Sequence, residues 1–429
     1  MTRLFMFLAL AALPAFFANG QDVAGNWQGA LKIGDQSLRV LLQVSKSNHS
    51  DWKAVLQVID QEDFYSRFLA ASVTLKASTL KFTVEEASGT YEGTVSEDGN
   101  SIHGTWTQDQ PLPLDFQRTT KEEDWRDPYP HTVQFVTVQP NVKLEVLDWG
   151  GSGRPIVLLA GLGNSAHIFD KFAPKLTAKY HVYGITRRGF GDSSAPDPSV
   201  PGAYSADRLG DDVLAVLDAL KLNCPVLAGH SIAGEELSSV GSRHPERVAG
   251  LVYLEAAMAY AYYDGAHGDL DLDLIELQRK LDELRPGQGP PDRKPLIREL
   301  LETDLPVFEK DLREQQKNLA LMPVPQAPQA MPRISQAIMA GRQKYTKIPV
   351  RALAIYAIPQ ETGEHFPDDA ARAAFEARSE ELSGAQAKAF ESGVPSAKVV
   401  ILHHAKHYIF QSNEADVLRE MNAFLAGLP

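Results

Sequence analysis

The octet Leu227-Ala228-Gly229-His230-Ser231-Ile232-Ala233-Gly234 holds the residues of this chain best suited to chemistry. An apolar run, Pro225 to Ala228, leads into a small residue, a histidine, a serine and two further small residues. A helix-like pattern from Glu235 to Arg243 follows. This is the shape of a strand-to-helix turn that forces a serine side chain into the open. The small flanks have a physical cause, because a tight turn brings strand and helix backbones together and a bulky side chain at Gly229 or Ala233 would clash. The chemistry available to such a serine is nucleophilic attack, once a base removes the proton of its weakly nucleophilic hydroxyl.

The base is expected late in the chain, after the last strand-like run, Lys398 to Leu402, where His403-His404-Ala405-Lys406-His407-Tyr408-Ile409-Phe410 follows. His407 lies just before an apolar turn, where a side chain can reach back to the serine, and is the expected base. His403 and His404 at the strand end read as structural or surface groups. No carboxylate or cysteine completes the three histidines as a ligand set, so no metal is expected. A serine attacking a carbonyl also needs backbone N–H groups aimed at the developing oxyanion. Ile232, directly after the serine, supplies one. Leu162, in the small-residue loop Gly161-Leu162-Gly163-Asn164 after the run ending at Ala160, is expected to supply the other.

Two kinds of periodicity indicate what positions these groups. From Thr132 onward, strand-like runs alternate with helical patterns such as Ala203 to Leu220, Glu235 to Arg243 and Glu414 to Ala426. Such alternation implies a mostly parallel, doubly wound α/β sheet, with ligands at the carboxyl ends of its strands. Between Ala257 and Lys347 the alternation stops. That stretch is helical, charged and broken by prolines, and reads as a helical cap over about 258–347 inserted between two sheet strands. Within it Asp269, Asp271 and Asp273 resemble the start of a calcium loop. Leu274 stands where the turn glycine belongs and Lys280 where the last carboxylate belongs, so a helix start is expected instead. Residues 21–120 read as about eight short strands separated by turn signals, an antiparallel barrel or sandwich. Gly25-Asn26-Trp27 on the first strand with Arg118 after the last resembles the lipocalin-like barrels, in which such a tryptophan packs against a late basic residue. Filling by side chains is expected rather than a ligand cavity. Residues 121–131 are charged and proline-containing and read as a linker.

The chain has 429 residues and a formal net charge of −13, enough length for two domains and a charge that opposes nucleic acid as a partner. Thr2-Arg3, the apolar run Leu4 to Phe17 and the small-residue site Ala18-Asn19-Gly20 read as a secretory signal over 1–20, too short to span a bilayer. The expectation is a secreted or periplasmic protein without a membrane span. Cys224 is the single cysteine, so no internal disulfide forms, and a buried thiol is expected there.

Over about 132–429 the chain resembles the α/β-hydrolase superfamily, in its capped, esterase and dehalogenase-like branch. The resemblance rests on Gly161-Leu162-Gly163, on Arg187-Arg188-Gly189-Phe190-Gly191-Asp192-Ser193-Ser194, on the serine octet with Arg243-His244-Pro245-Glu246-Arg247-Val248 behind it, and on His407-Tyr408. Ala160 stands where the family usually has histidine and Ala233 where it has glycine. Neither change removes a backbone donor. The resemblance implies a third catalytic group, a carboxylate that orients the histidine. The family's usual position falls near Gln360, which cannot carry the charge. Glu361 is one residue on and Glu364 a little further. The other position the family uses is the end of the strand Gly250 to Leu254, where Glu255 follows. Glu255 is the expected acid and Glu361 the alternative. A serine rather than an aspartate nucleophile implies cleavage of a small-molecule carboxylic ester through an acyl-enzyme, with no cofactor. An aminopeptidase or amidase of the proline-iminopeptidase type is the nearest rival reading. A non-catalytic protein that binds through its β-domain is the rival of another class.

Overall fold

A computed structural model describes residues 22–33, 36–46, 52–58, 67–85, 87–108, 110–119, 129–319, 331–361, 368–394 and 396–429. The expected signal (1–20), most of the expected linker and Glu364 lie outside the described residues.

The N-terminal part is one antiparallel sheet of β1 (Gly25–Ile33), β2 (Gln36–Lys46), β3 (Trp52–Val58), β4 (Arg67–Leu69), β5 (Ser72–Lys76), β6 (Thr79–Val84), β7 (Gly89–Val95), β8 (Ser101–Thr107), β9 (Pro111–Pro113) and β10 (Phe116–Thr119). Its order is β4-β3-β2-β1-β10-β8-β7-β6-β5, with β9 on β8. Neighbours follow chain order around the curled sheet, which stays open between β4 and β5. Ten strands replace the eight expected. β4 is three residues long, below what alternation can reveal. The single run expected from Pro113 to Phe116 divides into β9 and β10, because Pro113 has no N–H to continue a ladder. Along β7, residues alternate between buried and more exposed positions, and the inner face is filled by Trp27, Phe82, Tyr91, Trp106 and Phe116. The Arg118 guanidinium lies 4.2 Å from the centre of the Trp27 ring and donates to the Ala24, Asp22 and Gly99 carbonyls. The pairing read from Gly25-Asn26-Trp27 and Arg118 is therefore present as a contact.

The second part is an eight-stranded sheet of β11 (Thr132–Gln139), β12 (Val142–Gly150), β13 (Pro155–Leu159), β14 (His181–Ile185), β15 (Val226–His230), β16 (Gly250–Leu254), β17 (Ala352–Ala357) and β18 (Ala397–Leu402), in the order β11-β12-β14-β13-β15-β16-β17-β18. Pairings from β14 to β18 are parallel, and β11 and β12 add an antiparallel edge. The helices are α1 (Ala206–Ala219), α2 (Ala233–Arg243), α3 (Leu270–Glu283), α4 (Lys294–Glu299), α5 (Leu305–Leu319), α6 (Arg333–Ala340), α7 (Asp369–Gly393), α8 (Ile409–Ser412) and α9 (Glu414–Ala426). One apolar layer packs Leu217, Leu237, Val240 and Phe390 on one face of the sheet, and another packs Phe169, Phe172, Phe410 and Met421 on the opposite face. The strands between these layers are near-continuous apolar runs, as a parallel sheet covered on both faces requires.

The chain runs from β13 to β14 on one side and then returns to place β15 on the other side of β13. This reversal opens a crevice at the carboxyl ends of β13 and β15. The loop holding Leu162 leaves β13 and Ser231 leaves β15, so both border that crevice.

Residues between β16 and β17 form the helical insertion expected from the broken alternation, carrying α3 to α6. Asp269 caps α3, its side chain accepting from the Leu272 amide, in line with the helix-start reading. Asp273 is buried and accepts from the Tyr263 hydroxyl at 2.7 Å, so that start is only partly solvated. Cys224 corrects another expectation. It is exposed, at φ +42°, because β15 begins at Val226 and leaves Cys224 in the preceding turn. Among the described residues no helix is long and apolar enough to cross a membrane.

Gly234 marks how closely α2 is packed. A Cβ built there would overlap the Ala256 carbonyl oxygen and come within 3.2 Å of the Ala261 Cβ. The backbone oxygen cannot rotate away as a side chain would. Gly234→Ala is expected to destabilise the second domain by about 1–3 kcal/mol, read as a lower midpoint in urea denaturation. An unchanged midpoint would contradict the packing described.

Candidate active site

Ser231 lies between the end of β15 and the start of α2 at φ +53°. Left-handed backbone at a serine is uncommon and persists only where the surroundings enforce it. Three contacts do so. The Ser231 amide donates to the Leu254 carbonyl at 3.3 Å. A Cβ on Gly229 would sit 3.0 Å from the Ala233 Cβ, which accounts for the small residue before the turn. A Cβ on Gly161 would sit 2.8 Å from His230 Nδ1 and 3.2 Å from the Ser231 Cβ. The loop after β13 is thus pressed against the serine.

His407 Nε2 lies 3.0 Å from Ser231 Oγ. A serine after β15 and a histidine after β18, 176 positions apart in sequence, are brought to hydrogen-bond distance at the carboxyl edge of the sheet. Burial holds the imidazole below the ordinary histidine pKa of 6.5, so its neutral, proton-accepting form persists into mildly acidic solution. Its loop is held by His230, whose Nε2 donates to the His407 carbonyl at 3.0 Å. A carbonyl only accepts, which places the His230 proton on Nε2. Burial, and then the neighbouring His407, push His230 down to about 3, so it remains a neutral donor. Its ring also packs 4.7 Å from that of Tyr408. His403 and His404 stand apart from this arrangement. His403 Nδ1 bonds the Ile358 carbonyl at 2.9 Å, and His404 is exposed at φ +54°.

Neither the Leu162 nor the Ile232 amide donates to an acceptor among the described residues. Both residues pack in one apolar cluster with Phe190 and Ile338 beside the serine. Two open N–H groups flanking a serine are the donors an oxyanion needs.

Arg187 and Glu236 received no role from the sequence. The fully buried Arg187 guanidinium meets the Glu236 carboxylate in a two-pronged pair, Nε to Oε1 at 2.7 Å and one terminal nitrogen to Oε2 at 2.8 Å. The same guanidinium donates to the Ala160 carbonyl at 2.9 Å and the Gly161 carbonyl at 3.3 Å. It therefore ties the end of β13 to the first turn of α2, linking the Leu162 loop to the serine turn. The available signal was an arginine two residues after β14 and a glutamate inside a helix that is buried nearly all round.

The carboxylates separate clearly. Glu255 follows β16, is 2% exposed and has φ +51°. Its carboxylate accepts from the Ala357 amide, and burial pushes it up to about 8. Glu361 is exposed, and its amide bonds the Ala405 carbonyl at 2.9 Å. Among the described residues no hydrogen bond joins either carboxylate to His407. The structure brings Ser231 and His407 to hydrogen-bond distance and sets Gly161 against the serine, and it joins neither carboxylate to the histidine.

A separate buried group links His131, His167 and Asp170, whose ligand-type atoms lie within 4.8 Å of one another. His167 Nδ1 is 3.1 Å from Asp170 and its Nε2 is 3.4 Å from Glu145, while the Trp149 indole donates to Asp170 at 2.9 Å. With both ring nitrogens of His167 facing carboxylates, the cluster fits a hydrogen-bonded network better than an open ligand set.

Residues 154–335 match the family described as the alpha/beta hydrolase fold, and this domain has that fold. RutD of Caulobacter segnis, which carries a provisional carbamate-hydrolase name, is 37% identical over 109 residues, 25% of this chain and 40% of that protein. The AB hydrolase superfamily protein YisY of Bacillus subtilis is 30% identical over 151 residues, 33% of this chain and 54% of that protein. Bifunctional epoxide hydrolase 2 of Rattus norvegicus is 31% identical over 125 residues, 29% of this chain and 22% of that protein. The chain thus spans about half or less of the length of each of these relatives.

Removing one member of a buried ion pair leaves the other charge uncompensated, at a cost of about 3–5 kcal/mol. Arg187→Met is expected to lose that much in urea denaturation. Arg187→Met with Glu236→Leu should recover a large part of it, since an apolar pair replaces the ionic one. A double variant no more stable than Arg187→Met would refute the pairing as the source of the loss.

Proposed function

We propose that this chain is an exported serine hydrolase that cleaves carboxylic esters of small molecules through an acyl-enzyme on Ser231. The observation that carries the reading is His407 Nε2 at 3.0 Å from Ser231 Oγ, on a serine held at φ +53°. In the proposed reaction Ser231 Oγ attacks the ester carbonyl while His407 Nε2 takes its proton. The Leu162 and Ile232 amides hold the oxyanion, and His407 then protonates the departing alcohol. Water repeats the sequence in the second half-reaction and releases the acid. Glu255 is proposed to stabilise the imidazolium that forms on His407. Its burial supports this choice over the exposed Glu361, because a buried carboxylate gains most from a cation nearby. The hydrolase names of the relatives agree with the reaction class. Residues 258–347 are proposed to act as a cap, in keeping with the packing of Ile338 against Ile232. The proposed location is secreted or periplasmic, and loss of export on deleting residues 1–20, seen by cell fractionation, is the check.

The rival reading of the same site is an amidase or aminopeptidase acting on an amine-bearing substrate. Comparing a p-nitrophenyl ester series with proline anilide separates this amidase reading from the ester reading.

A fluorophosphonate probe should label the wild-type protein stoichiometrically and Ser231→Ala not at all. Failure of the wild type to label would refute the proposal and leave the non-catalytic binding reading. Glu255→Gln should lower kcat by roughly 10²–10⁴-fold, the range expected when the group orienting a catalytic histidine is neutralised, whereas Glu361→Gln should stay near wild type. The reverse pattern would transfer the role to Glu361.

The sign of the pH dependence follows from the base. His407 works when neutral, and burial lowers its pKa from 6.5. The protonation of His407 should therefore give kcat/KM an acidic limb below pH 6.5. A limb at 6.5 or above that persists in Glu255→Gln would contradict the burial argument.

A further inference from the structure

One edge of the second sheet is β11 (Thr132–Gln139), which pairs with β12 and with no other described strand. The direction of its main-chain groups follows from β12. The Glu145 amide donates to Ser193 Oγ at 2.9 Å, and the Glu145 carbonyl accepts from the Thr186 amide at 3.0 Å. The Lys143 amide and carbonyl bond Ser194 in the same way. Lys143 and Glu145 therefore turn their main-chain groups away from β11. Their cross-strand partners, Thr137 and Phe135, turn theirs away from β12, as the non-hydrogen-bonded pairs of an antiparallel ladder do. Val133 has the same phase by alternation. The amides and carbonyls of Val133, Phe135 and Thr137 thus line the open edge, and among the described residues none of them is hydrogen-bonded.

Little in the strand protects that edge. Edge strands usually carry charge or proline, or bend away. Thr132–Gln139 contains neither charge nor proline, and its pairing is regular from Thr132 to Thr137 before one register shift. At the opposite edge, β18 carries Lys398, paired with Glu420 of α9. Val133 and Phe135 are 45% and 52% exposed, and with Thr137 they project from one face of the strand.

We propose that β11 is the association surface for a second copy of this chain, the two strands pairing antiparallel about a two-fold axis at Phe135. That register sets Phe135 opposite the partner's Phe135, and Val133 opposite the partner's Thr137. Residues with outward groups then face one another, and each pair exchanges two hydrogen bonds. No outward group of Val133, Phe135 or Thr137 is left over. A second copy fits this edge because the strand complements itself, as a two-fold contact requires. Two aromatic rings meet at the centre and β-branched side chains meet on either side, both favourable cross-strand pairs. Charge points the same way. The chain carries −13 overall, yet copies meeting at β11 place no like charges opposite one another within the strand. β12 and β14 stand between β11 and β13, so the crevice beside Ser231 stays open in the pair. The association is independent of the reaction proposed above.

The measurement is sedimentation velocity of the purified protein over a concentration series, joined to hydrogen exchange of the β11 amides. The wild type should become dimeric as concentration rises, with the Val133, Phe135 and Thr137 amides protected in step. Phe135→Lys sets two ammonium groups opposite one another and should weaken association by about 10-fold or more. Its urea midpoint, taken where the wild type is monomeric, should equal that of the wild type. Val133→Pro removes an outward N–H and no bond to β12, so it should weaken association while the β11–β12 ladder stays protected. If Phe135→Lys lowers the midpoint of the monomer, Val133→Pro decides. A wild type that stays monomeric through the series would overturn the proposal. A dimer that keeps its affinity in both variants, or whose three outward amides exchange as fast as in the monomer, would overturn it as well, because the contact would then lie elsewhere on the surface.

Discussion

The left-handed backbone at Ser231 is the constraint on which the rest of the second domain depends. A chain leaving β15 must become α2 within two residues, and φ +53° at a side-chain-bearing residue is the way it does so. Such a conformation costs on the order of 1–3 kcal/mol and has to be held by its surroundings. The holding contacts are specific: Gly229 against Ala233, Gly161 against His230 and the serine, and Gly234 against Ala256. Each is a place where the absence of a side chain lets backbone come close. A larger residue at any of them would relax the turn and carry Oγ away from His407. The strain at the serine and the small residues around it are one feature seen twice.

Buried charge performs the same task at longer range. Arg187 with Glu236 joins β13 to α2. Arg188 with Asp212, paired at 2.6 Å through two bonds, joins the loop after β14 to α1. Both arginines have two-pronged carboxylate partners and also donate to carbonyls, so the cost of burying them is largely met by directional bonds. Apolar residues would pack these positions as tightly but would not fix direction. The direction matters because the Leu162 amide must face the same point as the Ile232 amide. The adjacent arginines, met in the sequence as part of a resemblance, are thereby explained as positioning groups.

What was legible in the sequence was local or periodic. The Gly229–Gly234 pattern located the turn because its cause lies within six residues. β16 runs over Gly250 to Leu254 as its apolar run indicates, and α9 matches Glu414 to Ala426. The pairing of Trp27 with Arg118 was legible because strand register sets the two opposite one another. Other features had no local signal. α7, 25 residues long, is only weakly amphipathic, with Ala387 and Phe390 as its buried positions, and gives little periodicity to read. β4 is too short for alternation. Cys224 was misread because two residues decide whether a position lies in a strand or in the turn before it. The Arg187–Glu236 pair acts across elements distant in sequence, and only the assembled sheet shows what it touches.

The acid is where sequence and structure leave different things open, and electrostatics connects them. Desolvation shifts Glu255 up and His407 down. Both shifts favour the uncharged forms, and the Glu255 carboxyl rests on the Ala357 amide. In the proposed reaction the Ser231 proton goes to His407, and the imidazolium is then a buried cation. Only an ionised Glu255 can stabilise that cation, so the role proposed for Glu255 requires that its own proton has first left to solvent, and the field of the imidazolium favours the ionised form. An ionised carboxyl attracts the imidazolium more strongly than the neutral ring, which weights the interaction toward the transition state, the differential effect that catalysis requires.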